Sequence, residues 1–176
     1  MLSIIGLVFL YLDIYLSSVD IIADAVGLFL LAIAFLLYGK RKACSPLWAL
    51  AALLGAAASA LSWFSLNGWV WSLASWLLPP VLSFLLVRRL YALACEKACG
   101  VYRNPPEPEY LLYFRRLVDT ALVFILLCEL CAPLLALIPV LPYLLLIART
   151  AAGLFVIVRV YKMLYWTSYS SDGRKG

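Results

Sequence analysis

The chain has 176 residues, of which 66% are apolar and 13% charged, with a formal net charge of +5 and a mean hydropathy of +1.03. Globular domains carry about 45–50% apolar and about 25% charged residues, so a soluble domain, a disordered chain, a collagen and a secreted disulfide scaffold are excluded. The composition predicts an all-α, polytopic transmembrane helix bundle. A helical span uses about 20 residues, so six spans leave roughly 56 for every loop and tail, too few for a soluble domain.

Taken in chain order, hydropathy and punctuation predict six spans at 2–17, 20–38, 46–64, 69–94, 110–132 and 142–164. Residues 1–166 are expected to be one membrane-embedded domain, and 167–176 a short polar cytoplasmic tail. The first segment lacks a basic n-region and a small-residue cleavage site, so it reads as a retained segment rather than a signal peptide. It is also short, roughly 24 Å of helix. The alternative is five spans plus an N-terminal helix lying in the interface. Span three carries small residues at four-residue spacing, Ala52, Ala56 and Ala60 beside Ala51, Gly55 and Ser59. Small residues let helix backbones approach closely, so this segment is expected to be the central packing helix. Pro79 and Pro80 are expected to kink span four. Residues 95–109 read as a polar loop, and 133–142 as an apolar connector with three prolines.

The basic residues set the orientation. Lys40, Arg41 and Lys42 follow span two; Arg88, Arg89, Lys97, Arg103, Arg115 and Arg116 surround the loop between spans four and five; Arg159, Lys162, Arg174 and Lys175 close the chain. In a six-span protein these thirteen of the fourteen Lys and Arg residues lie on one side. The positive-inside rule makes that side, and both termini, cytoplasmic. The expected location is the cell membrane, multi-pass. Trp63, Trp69 and Trp71 then fall at the outer interface, and Trp48 and Trp166 at the inner one.

Histidine is absent, which removes the commonest general base and the commonest metal ligand. Neither a GxxxxGK[ST] nor a GxGxxG phosphate loop occurs. The basic residues flank apolar segments instead of forming an aromatic-interleaved face, so no nucleic-acid partner is expected. No cofactor and no metal are expected either.

The remaining charges form the candidate site. Asp13, Asp20 and Asp24 are spaced seven and four apart, which puts them within about 40° on one helical face. Glu129 lies near the outer end of span five, and Arg149, the exception to the basic pattern, lies about 10 Å inside span six. A charge inside the bilayer is rare and usually paired. These five residues are expected to gather in the outer half of the bundle. They form either a pocket for a small solute or cation, or a structural ion-pair cluster. Asp119 follows Arg115 and Arg116 by four and three residues, which predicts a local surface pair. Cys128 and Cys131 form a CxxC at the outer end of span five, a candidate redox pair. In this it resembles the four-helix disulfide-generating oxidoreductases, which pass electrons from thiols to a quinone. Their second outward-facing cysteine pair is missing here.

The run 20–28, Asp-Ile-Ile-Ala-Asp-Ala-Val-Gly-Leu, follows a short apolar segment and opens a long aliphatic helix. It resembles the D-I-L-P-D-x-x-G-Y signature of small uncharacterised polytopic membrane proteins of Gram-positive bacteria. Asp20, Asp24 and Gly27 match, while Ala23 stands for the proline and Leu28 for the tyrosine. The resemblance covers roughly the first forty residues and implies a bacterial membrane protein without implying a chemistry. The size and topology also resemble the six-helix substrate-binding subunits of energy-coupling uptake systems, in architecture alone.

Three functional classes follow in order. The first is a non-catalytic membrane partner or assembly component, working with another membrane protein or as a homo-oligomer. The second is a solute or cation binding or transport component with an outward polar pocket. The third is a membrane thiol-disulfide oxidoreductase. Besides the lipid bilayer, the sequence names no partner.

Overall fold

Six apolar segments punctuated by charge fold as six helices. The computed structural model describes residues 1–11, 20–39, 46–61, 69–101, 106–135 and 140–165. Among them the chain forms α1 (Leu2–Tyr11), α2 (Asp20–Gly39), α3 (Pro46–Leu61), α4 (Trp69–Val101), α5 (Pro108–Leu135) and α6 (Leu141–Leu164), with no strand. All six contribute to one core, which includes Leu7, Phe35, Ala52, Leu90, Leu122 and Val156.

Two helical stretches, Trp76–Cys99 and Leu141–Leu164, are long and apolar enough to cross a membrane. Leu2–Tyr11, Asp24–Leu37 and Pro46–Ala60 are shorter apolar stretches. The helices also turn large apolar side chains outward, among them Leu47, Leu50 and Leu54 on α3 and Leu144, Ile147 and Leu154 on α6. Water would not favour that surface, whereas lipid is as apolar as the side chains themselves.

The packing order makes a closed ring. Helix α1 lies on α2 and α6, α2 on α3, α3 on α4, and α4 on α6. Helix α5 sits against both α4 and α6. The hubs are therefore α4 and α6. Helix α3, expected at the centre, is on the perimeter. It buries one line of small residues, Ala52, Gly55 and Ser59, and leaves Leu47, Leu50, Leu53 and Leu54 outside. Gly55 fits between Leu28 and Leu82, whose side-chain ends would stand 3.2 and 3.4 Å from an added Cβ.

Helix α1 enters the ring through glycines. A Cβ on Gly27 would stand 2.9 Å from the Gly6 carbonyl oxygen and 3.0 Å from the Leu10 backbone nitrogen. Backbone cannot step aside as a side-chain tip can, so these two helices touch only because neither carries a side chain at the crossing. Gly6 and Leu10 meet residues of α2 in reverse order, which makes α1 and α2 an antiparallel hairpin. A helix buried through Ser3, Gly6, Leu7, Leu10 and Tyr11 is a member of the bundle. The expected stretch 12–17 of the first segment lies outside the described residues.

Helix α4 runs seven residues past its expected end, to Val101, and takes half of the expected polar loop with it. Leu90, Tyr91, Ala94 and Ala98 are buried along one face, while Glu96 and Cys99 are exposed. The drop in hydropathy after residue 94 marks an amphipathic extension beyond the apolar part, not a helix end. Helix α4 also passes through Pro79 and Pro80 without interruption. The Ser83 hydroxyl donates back to the Pro80 carbonyl at 2.8 Å, which satisfies this polar side chain against its own helix. Helix α5 likewise extends through Pro133 to Leu135, shortening the expected three-proline connector.

Candidate functional site

Glycine positions build the site. Asp24 lies one turn before Gly27 on α2, and Arg149 one turn before Gly153 on α6. Gly27 admits the α1 backbone, and Gly153 admits Tyr11: a Cβ there would stand 2.6 Å from the Tyr11 Cβ. The two close approaches drive Tyr11 into the bundle between α2 and α6, where its side chain is fully buried. The charges that act on its hydroxyl are those of Glu129, Arg149 and Asp24. Tyr11 of α1 thus lies within electrostatic range of charged groups from α2, α5 and α6.

At its centre is an ion pair. Arg149 donates to Glu129 Oε1 from Nη2 at 2.7 Å and from Nε at 3.0 Å. The two side chains are 16% and 18% exposed. Two charge-assisted bonds in a largely dry setting fix the α5–α6 register at this level. Asp24 is half-buried, with Oδ1 shielded from solvent.

The five expected site residues therefore divide. Glu129 and Arg149 are in direct contact, while Asp24 shares with them an electrostatic influence on Tyr11. Asp20 lies in the first turn of α2, its side chain outside the described residues, as is the whole of Asp13. Tyr11 and Gly153 were not singled out from sequence. The available signal was a tyrosine ending an apolar run and a glycine one turn after the unmatched arginine.

Cys128 is buried and Cys131 half-buried on α5, both as free thiols. Among the described residues no group of three His, Cys, Asp or Glu side chains could hold a metal ion.

The opposite end of the bundle is basic. Arg88 Nε on α4 donates to Asp119 Oδ1 on α5 at 3.0 Å, so the partner of Asp119 comes from the neighbouring helix. The sequence spacing had pointed to Arg115 or Arg116 on its own helix. Arg159 of α6 stacks 3.5 Å from the centre of the Phe114 ring and donates to the Tyr110 hydroxyl at 3.4 Å. Lys97 Nζ donates to the Leu164 carbonyl at 3.4 Å, a cation at the negative end of α6. These contacts align the described cationic residues of α4, α5 and α6, Arg149 excepted, at one end. Lys40, Arg41, Lys42, Arg103, Arg174 and Lys175 lie outside the described residues, as do Trp63 and Trp166. Trp48 packs against the core.

No family model matches the chain, and no curated protein and no solved structure matches it either.

Proposed function

We propose that the chain is a multi-pass protein of the cell membrane, with six spans and cytoplasmic termini, acting as a non-catalytic membrane partner or assembly component. Two side chains support the membrane placement. Tyr143 and Tyr161 are 71% and 51% exposed on the same face of α6. They are 18 residues apart, or about 27 Å of helix, close to the roughly 30 Å hydrocarbon thickness. Tyrosines favour the two interfaces of a bilayer, and Ile147, Leu154 and Val158 fill the exposed face between them.

The observation that carries the non-catalytic reading is the Arg149–Glu129 pair. The cation that sequence offered as a ligand-binding group has its Nε and Nη2 turned to a carboxylate of the adjacent helix. Such a pair holds helices together, and the remaining surface is available to another membrane protein or a second copy. Kinship with the Gram-positive membrane proteins that share Asp20, Asp24 and Gly27 belongs to the same proposal.

The test is extraction from the native membrane in mild detergent, with mass measurement of the purified particle. A defined complex larger than one chain is expected, and it should persist in the double variant Glu129→Gln/Arg149→Gln. A particle containing one chain alone, at concentrations where the complex should hold, refutes the reading.

A second reading, an outward solute or cation pocket, is favoured by the convergence of Asp24, Tyr11, Glu129 and Arg149 from four helices. It expects ligand-dependent thermal stabilisation that Asp24→Asn and Arg149→Ala abolish. Stabilisation that survives both changes eliminates the pocket.

A further inference from the structure

Helix α5 carries a continuous outward face, Arg116, Thr120, Val123, Phe124 and Leu127, all exposed at helical spacing. Thr120 is its one polar residue below Arg116, and its hydroxyl donates to the Arg116 carbonyl at 2.9 Å. That bond hides the hydroxyl against the helix backbone. The face is therefore apolar for about 15 Å up to a guanidinium, and one turn beyond it Leu112 and Tyr113 are again exposed. Helix α6 repeats the design: Leu154 and Val158 lead to exposed Tyr161 and Lys162.

The two cations stand at one level. Arg116 is 13 residues from Glu129, and Lys162 is 13 residues from Arg149. Since Glu129 and Arg149 are in contact on antiparallel helices, both cations lie about 20 Å from that pair in the same direction. Arg88 of α4 joins them through its bond to Asp119, less than one turn from Arg116. Arg88 and Arg89 have carboxylate partners in Asp119 and Glu96. Arg116 and Lys162 have none among the described residues.

We propose that this level is an anionic-lipid site: Arg116 and Lys162, with Arg88 beside them, hold the phosphates of anionic phospholipid headgroups whose acyl chains lie along the apolar faces of α5 and α6. The proposal rests on the membrane reading above. Charge complementarity identifies the occupant. Cations at a free interface attract anionic headgroups, by about 1 kcal/mol or roughly fivefold per residue. The continuous apolar strip beneath each cation matches a diacyl lipid and has no use in binding a soluble anion. Exposed Tyr113 and Tyr161 near the same level provide the amphipathic rings that prefer the headgroup layer.

The test is reconstitution into vesicles of brominated phosphatidylglycerol mixed with phosphatidylcholine, reading quenching of the chain's own tryptophans. Resistance to alkaline extraction is measured in parallel. For the wild type, the glycerol lipid should bind about fivefold more tightly than the choline lipid. The preference should fall several-fold in Arg116→Gln/Lys162→Gln and persist in Arg116→Lys/Lys162→Arg. An equal affinity for both lipids in the wild type overturns the proposal, as does an unchanged preference in the glutamine variant. Loss of the preference on adding soluble glycerol phosphate also overturns it, by showing a site for a free anion. Release by alkali instead overturns the membrane reading on which the site depends.

Discussion

Arg149 and Glu129 share a carboxylate oxygen: the guanidinium of α6 reaches Oε1 of α5 from two nitrogens, at 2.7 and 3.0 Å, with both side chains less than a fifth exposed. The pair lies on the side of the bundle away from the other described cations, so each partner depends on the other. Removing one alone leaves a charge with little solvent, whereas removing both leaves an apolar contact. Arg149→Leu or Glu129→Leu is expected to cost about 3 kcal/mol, and the double variant to recover most of that loss. Denaturant unfolding of the three purified variants checks the cycle.

Tyr11 separates packing from polarity. Tyr11→Ala should cost about 3–5 kcal/mol, because a fully buried ring is removed from between α2 and α6. Tyr11→Phe should cost less than about 1 kcal/mol, because the buried ring is kept and only the hydroxyl is removed. A phenylalanine variant as unstable as the alanine variant would locate the effect in the hydroxyl instead. Thermal unfolding in detergent gives the comparison.

The glycines at the two crossings should not accept a methyl group. Gly27→Ala meets Gly6 and Leu10 backbone, and Gly153→Ala meets the Tyr11 Cβ at 2.6 Å. Each is expected to cost about 1–3 kcal/mol. Gly55→Ala faces two leucine side chains, the nearer at 3.2 Å, and those can shift; its cost should be smaller. Unfolding measurements on the three alanine variants rank them.

The Arg88–Asp119 contact is interhelical yet weak. Its side chains are 51% and 31% exposed, where solvent and salt screen the attraction. Asp119→Asn should change stability by less than about 1 kcal/mol. A change well above that, or one insensitive to added salt, would mark the pair as structural.

Topology has a direct measure. With the native cysteines replaced, a cysteine at Leu2 should resist a membrane-impermeant maleimide in intact cells if the chain makes six spans. Labelling from outside is the outcome of the five-span arrangement.

The sequence by itself determined the all-helical class and, among the described residues, the six helices and the gathering of the cations other than Arg149 at one end, because each depends on composition and on spacing along one chain. The starts of α2, α3 and α4 match the expected positions, since a charge, a proline or a tryptophan marks each. The ends of α4 and α5 did not follow hydropathy. Leu90, Ala94 and Ala98 continue α4 by burying one face against other helices, and no local average records that. Arg149 was legible as an exception, and its depth matched that of Glu129. Only tertiary structure decided that they touch, that Asp119 turns to Arg88, and that Tyr11 is buried against Gly153 within range of their charges. The reason is geometric: a carboxylate's partner depends on which helices neighbour one another. Here Gly6, Gly27 and Gly153 set that for α1 by having no side chain at the crossings.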